Sequence, residues 1–182
     1  MALNAPGGTI TAPVGTSFTL NVGSINLFAA GAFVPANTVG VIRLNDGTIN
    51  NTTNAGGIGA TAVLSQTGGL ITGTNVNING FGFQSTALAA QGGQIVWNGG
   101  AITMTGNTAS GVITAWSLLG SPGTVTVNGT MFPSPVSQGV ELGGGGTVTL
   151  NGVDMTTTSF GVFAHEAFSP TLAPNTFTMN GA

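Results

Sequence analysis

Residues able to carry chemistry are scarce in this chain. Its 182 residues hold one histidine, His165, one basic residue, Arg43, and four acids, Asp46, Glu141, Asp154 and Glu166, with no cysteine. Acid–base cleavage of glycosides needs paired carboxylates, and calcium-assisted chemistry needs several clustered oxygen ligands. The four acids are scattered along the chain, and a single Arg is the only basic partner. His165 and Glu166 are adjacent, so on a strand their side chains point to opposite faces. A solvated pair is therefore expected there rather than an acid–base dyad. Serine and threonine are plentiful, but no His and Asp stand at a spacing suited to activating them, and no Gly-Asp-Ser-Gly motif occurs. Without cysteine there is no disulfide, no thiolate zinc site and no Cys nucleophile. Gly143 to Gly146 is followed by neither Lys nor a helical pattern, which excludes a phosphate-binding loop. The Gly- and Asp-rich calcium nonapeptide is also missing. The expectation is a non-enzymatic protein with no catalytic residue, no cofactor and no metal.

The charge content points the same way. Only 3% of residues are charged, against about a quarter in an average protein. Nucleic acid is excluded as a partner because nothing is present to neutralise phosphates. Polybasic attachment to an anionic membrane fails for the same reason. No apolar run approaches the roughly 18 residues of a membrane-spanning helix, so direct membrane insertion is not expected.

With little chemistry to position, the organising signal is a repeat. An apolar residue, any residue, a second apolar residue and then Asn recur down the chain. The copies are Phe18-Thr19-Leu20-Asn21, Ile42-Arg43-Leu44-Asn45, Val76-Asn77-Ile78-Asn79, Ile95-Val96-Trp97-Asn98, Val125-Thr126-Val127-Asn128, Val148-Thr149-Leu150-Asn151 and Phe177-Thr178-Met179-Asn180. Met1-Ala2-Leu3-Asn4 reads as a truncated copy. Alternate residues of a strand face opposite ways, so the two apolar positions point inward and the residue between them outward. Asn, often followed by Gly, tolerates the left-handed backbone of a tight corner. Asn21, Asn45, Asn79, Asn98, Asn128, Asn151 and Asn180 are thus expected as structural corners, with side chains bonding to one another along an axis.

The period selects the fold. Successive Asn corners are 24, 34, 19, 30, 23 and 29 residues apart, a mean of about 26. That is one turn of a parallel β-solenoid with three short strands and three corners, and it predicts roughly seven rungs. A propeller blade needs about 40 residues, and the consensus of a leucine-rich repeat is missing. Gly, Thr and Asn dominate over helix formers, which excludes helical repeats.

A second motif lies between the corners: Gly111-Val112-Ile113-Thr114, Gly139-Val140-Glu141-Leu142 and Gly161-Val162-Phe163-Ala164, with Gly59-Ala60-Thr61-Ala62 a looser copy. It predicts another strand of each rung. Gly-rich joints such as Gly92-Gly93 and Gly143 to Gly146 lead into the next Asn-ended strand. Thr-rich pieces, Thr103-Met104-Thr105 and Met155 to Thr158, supply the remaining one. The whole of 1–182 is expected to be a single solenoid domain. Residues 1–40 are less regular, with strands at Gly8 to Thr11 and Phe18 to Leu20 and an apolar loop over 27–35.

The run Gly145-Gly146-Thr147-Val148-Thr149-Leu150-Asn151-Gly152, a Thr-rich strand and then Gly161-Val162-Phe163-Ala164 resembles passenger domains of bacterial autotransporters of the pertactin-like type. The resemblance covers residues 40 to 182 and is one of composition and period. It implies a right-handed parallel β-helix displayed on, or released from, a Gram-negative cell. The expected function is that of a structural or adhesive segment of a bacterial cell-surface or secreted protein. Such a segment forms a rigid shaft or a surface for a host receptor or glycan, with signal and anchor outside these residues. A second reading is a filament subunit stacking head to tail through uncapped ends, with Leu3, Phe28, Phe33, Phe177 and Met179 as contacts. A third is ice binding through Thr-x-Thr ranks at Thr124/Thr126, Thr147/Thr149 and Thr176/Thr178. In the upstream copies the same column is expected to read Ser17/Thr19, Val41/Arg43, Asn75/Asn77 and Gln94/Val96, which breaks the array.

Overall fold

A computed structural model describes residues 2–6, 9–11, 17–20, 26–30, 40–52, 61–81, 85–105, 111–118, 120–165 and 173–181. Its strands, in chain order, are β1 (Ala2–Pro6), β2 (Thr9–Thr11), β3 (Ser17–Leu20), β4 (Asn26–Ala30), β5 (Gly40–Asn45) and β6 (Thr48–Thr52). Then come β7 (Thr61–Gln66), β8 (Gly69–Thr74), β9 (Asn77–Phe81), β10 (Thr86–Gln91), β11 (Gln94–Asn98) and β12 (Ile102–Thr105). The last are β13 (Gly111–Trp116), β14 (Thr124–Asn128), β15 (Val136–Gly143), β16 (Thr147–Asn151), β17 (Thr157–Ala164) and β18 (Thr176–Asn180).

These strands form three sheets in which every strand pairs parallel with its counterpart one turn away. Side A runs β1-β4-β7-β10-β13-β15-β17, side B runs β2-β5-β8-β11-β14-β16-β18 and side C runs β3-β6-β9-β12. The architecture is an all-β parallel solenoid of about five turns. The seven rungs expected from the Asn count appear as seven strands on sides A and B only, because side C holds four. After β12 the chain passes from side B back to side A without a regular third strand, through Gly129–Pro135 and again through Gly152–Thr156.

The core is a set of apolar columns. On side B, Ile42, Ile71, Ile95, Val125, Val148 and Phe177 stack in register, and beside them Leu44, Gly73, Trp97, Val127, Leu150 and Met179. Val63, Leu88, Ile113, Val140 and Val162 form the matching column on side A. From Leu44 to Leu150 these columns are buried. Burial of this kind stabilises by about 25 cal/mol per Å² of apolar surface, repeated at each rung.

Several expected strands lie on other sides. Val76-Asn77-Ile78-Asn79, expected among the side-B copies, gives way there to Gly69–Thr74, and the Asn79 copy is β9 on side C. Phe18-Thr19-Leu20 is also on side C, and Ala2-Leu3-Asn4 is on side A. The apolar 27–35 segment is not all loop: Leu27–Ala30 belongs to β4, which pairs with β1 and β7, while 31–35 lies outside the described residues. Thr157 and Thr158, expected with Met155 to form a third-side strand, begin β17 on side A. The side-A motif is one residue out of phase, since Val140 stacks on Ile113 and not on Val112, next to a register shift in β15. One physical cause underlies these differences. Any inward-outward-inward strand satisfies the motif, so it does not say which side of the solenoid it occupies.

Candidate functional site

Two clusters of polar side chains stand out among the described residues. The first is the corner at the end of side B. Asn98, Asn128, Asn151 and Asn180 are register partners on successive rungs. Their side-chain amides bond head to tail: Asn128 Nδ2 donates to Asn98 Oδ1 at 2.7 Å, Asn151 to Asn128 at 2.7 Å and Asn180 to Asn151 at 2.8 Å. The strand spacing of about 4.8 Å is what lets one primary amide reach the next, each giving one N–H and accepting one. Asn45 occupies the same column at the end of β5, with Thr74 between it and Asn98. Asn79 does not belong to this corner. It lies on side C and donates to Asn50 Oδ1 at 2.8 Å. Asn21 lies outside the described residues.

The second cluster sits on the outer surface of side A near its last rungs. His165 Nε2 lies 2.7 Å from Glu141 Oε1, and the other carboxylate oxygen of Glu141 accepts the Gly111 N–H at 3.2 Å. The His165 ring stands edge-on to Phe163, with centroids 4.5 Å apart, and tilts against Trp116 at 4.9 Å. Its backbone N–H donates to the Leu142 carbonyl, and Asn175 Nδ2 donates to the His165 carbonyl. Asn175 Oδ1 in turn accepts the N–H groups of Gly145 and Gly146. Glu141 therefore ties together β13, β15 and the residue just after β17, three successive rungs.

His165, expected to be solvated beside Glu166, pairs instead with Glu141, while Glu166 lies outside the described residues. The two partners are 24 residues apart, close to one turn. That spacing was the available signal. Trp116 and Asn175 went unnoticed because neither belongs to a repeated motif. Arg43, Asp46 and Asp154 are exposed and stand apart from this cluster. Among the described residues no three His, Asp or Glu side chains come close enough to hold a metal ion.

Two hollows are lined by described residues. An open groove of about 500 Å³ follows the corner between sides A and B, lined by Val41, Leu70, Gln94, Ser121, Pro122, Thr124 and stacked glycines, with no ionisable group among them. A smaller apolar hollow of about 130 Å³ opens at the β17–β18 end, with Phe177 and Met179 in its wall. Both were named above as end-to-end contacts, and both are on β18. Phe33, and the side chains of Leu3 and Phe28, lie outside what the structure describes.

The outward column of side B reads Val41/Arg43, Leu70/Thr72, Gln94/Val96, Thr124/Thr126, Thr147/Thr149 and Thr176/Thr178. Ser17/Thr19 and Asn77 are on side C instead. The chain matches no family model, no curated protein and no solved structure.

Proposed function

We propose that the chain is a non-enzymatic structural segment, a stiff β-solenoid serving as a shaft or adhesive surface in a bacterial cell-surface or secreted protein. The observation that carries this reading is the unbroken parallel ladder of sides A and B, closed by the Asn98–Asn180 amide chain along one edge. A structure that repeats the same contacts at every rung resists local opening, because each strand is held by two neighbours. The polar cluster supports the same role. Glu141 spends both oxygens, and His165 its ring nitrogen and backbone, on contacts between rungs.

The autotransporter-passenger reading adds export to the cell surface, and a right-handed coil is the sense that the crossover rule for parallel strands favours. The neutral A–B groove is the surface this reading offers to a glycan or receptor, since an uncharged partner loses no ion hydration on entering it. Limited proteolysis and thermal melting test the shaft. Slow cleavage confined to corners, with one cooperative transition, is the expected result; rapid cleavage within β10–β16 defeats it. Assays on polygalacturonate and peptide substrates should stay at background, and turnover abolished by His165→Ala would overturn the non-enzymatic reading.

Ice binding is supported by one observation, the six outward threonines on β14, β16 and β18. Gln94 and Val96 end that array one rung further in. Thermal hysteresis in dilute solution decides this reading directly.

A further inference from the structure

The side-B strands from β5 to β16 end at one corner, and the residue that turns it has a left-handed backbone. Asp46, Asn75, Gly99, Gly129 and Gly152 hold this position on successive rungs, with φ of 50°, 51°, 67°, 58° and 59°. Each donates its backbone N–H to the carbonyl just before the same corner one rung on. Asp46 reaches Thr74 at 2.9 Å, Asn75 reaches Asn98 at 2.7 Å and Gly99 reaches Asn128 at 2.7 Å. Gly129 reaches Asn151 and Gly152 reaches Asn180, both at 2.8 Å. In the last three cases the turning glycine directly follows an asparagine of the amide chain.

A glycine after asparagine favours spontaneous deamidation, because its nitrogen is unhindered and its backbone turns freely. The glycine N–H gives up its proton, and its nitrogen attacks the asparagine Cγ. The Cγ–Nδ2 bond breaks and Nδ2 leaves as ammonia, which closes a succinimide ring. Water then opens the ring to an aspartate or to a β-linked isoaspartate. One water enters and one ammonia leaves, with no change of oxidation state.

We propose that Asn98-Gly99, Asn128-Gly129 and Asn151-Gly152 are latent deamidation sites that the next rung holds unreactive, so that conversion at them marks a rung that has opened. Nucleophile and electrophile are restrained by separate bonds. The nitrogens of Gly99, Gly129 and Gly152 keep their proton on a neighbouring carbonyl. The Asn128 amide is bound at both ends, through Nδ2 to Asn98 and through Oδ1 to Asn151. Asn151 is held in the same way between Asn128 and Asn180, and Asn98 through its Oδ1. Ring closure needs the amide to swing from the solenoid axis toward its own backbone, which breaks these bonds.

Conversion also prevents the rung from closing as before. A carboxylate at position 128 only accepts, so it offers no N–H to Asn98 Oδ1 and sets oxygen against oxygen. The β-linked product adds a carbon to the main chain at the corner, where the strands must stay in register. The proposal goes beyond the shaft reading, since it concerns the chemistry of the corners and not the role of the whole.

Mass spectrometry of proteolytic fragments follows the reaction in mildly alkaline buffer, for the folded chain and for the chain in guanidinium chloride. Each of the three corners should react roughly a hundredfold or more slowly in the folded chain, because reaction waits for an interior rung to open. Hydrogen exchange at the Gly99, Gly129 and Gly152 amides should be slow in the same sample and rank with the deamidation rates. Asn98→Ala frees Nδ2 of Asn128 but leaves the Gly129 N–H on Asn151. Deamidation at Asn128 should then rise by no more than a few-fold. Folded-chain rates within a few-fold of the denatured ones overturn the proposal. So does slow deamidation at a corner whose glycine amide exchanges freely, since the rung-to-rung bond would then not be the restraint.

Discussion

Gly73 and Trp97 are complementary in volume across one rung of side B. They are register partners, and a Cβ built on Gly73 would lie 2.5 Å from the indole ring of Trp97. The indole fills the place that a side chain of the neighbouring rung would otherwise take, and its Nε1–H donates to the Val76 carbonyl at 3.2 Å. Trp116 and Gly143 repeat the device on side A, where a Cβ on Gly143 would lie 2.3 Å from the ring. A column of constant width accommodates an indole only if an adjacent rung gives up its side chain.

Gly73→Ala should therefore destabilise by overpacking, at about 1–3 kcal/mol. Combining it with Trp97→Leu should recover part of that loss, because the ring it collides with is gone. Urea unfolding of the two single variants and the double variant measures the coupling; purely additive losses would contradict the volume argument.

Asn128 bonds in both directions along the amide chain, while Asn180 has one amide neighbour. Asn128→Ala should cost about 1–2 kcal/mol and Asn180→Ala less, at roughly 0.5–1.5 kcal/mol per net hydrogen bond. Thermal melting compares them, and equal losses would show that the ladder adds nothing to stability.

Leu150 is buried in its column, whereas the preceding residue, Thr149, faces outward. Leu150→Asp should cost several kcal/mol, since it places an unpaired charge among Val127, Val140 and their neighbours, while Thr149→Asp should stay within about 1 kcal/mol. Comparable drops in melting temperature would show that the phase of β16 is wrong.

At the corner between sides A and B, a Cβ on Gly123 would lie 2.1 Å from the Ala90 carbonyl oxygen. Gly146 meets the Ala115 carbonyl in the same way. Backbone gives way less readily than a side chain, so Gly123→Ala should lower stability by more than about 2 kcal/mol. Gly129 is the contrast. Its φ of 58° is left-handed but open space surrounds it, so Gly129→Asn should be mild. Circular dichroism melts of the two variants distinguish close approach from backbone conformation.

Glu141→Ala removes the acceptor for both Gly111 N–H and His165, and should cost about 1–2 kcal/mol. Glu141→Gln keeps an oxygen for one of them and should cost less. Hydrogen exchange at the Gly111 amide is the local readout, with faster exchange expected in the Ala variant than in the Gln variant.

The sequence alone determined that this chain is a parallel solenoid. Alternation of inward and outward residues, a recurrence near 26 residues and the near absence of charge leave few other ways to bury Val, Ile and Leu. It also determined which Asn residues stack where the steps are regular, from Asn98 to Asn180. What the tertiary structure decided is which side each strand joins. The steps of 34 and 19 residues around Asn79 signalled the error: with Thr74 in the column they become 29 and 24. Gly69-Leu70-Ile71-Thr72-Gly73-Thr74 escaped notice because its second inward position is a glycine, and that glycine makes sense only once Trp97 is seen above it. The His165–Glu141 pair was hidden for a related reason. Its partners are distant in sequence and adjacent in space, and only the coiling of the chain, which converts one turn of residues into a single strand spacing, brings them together.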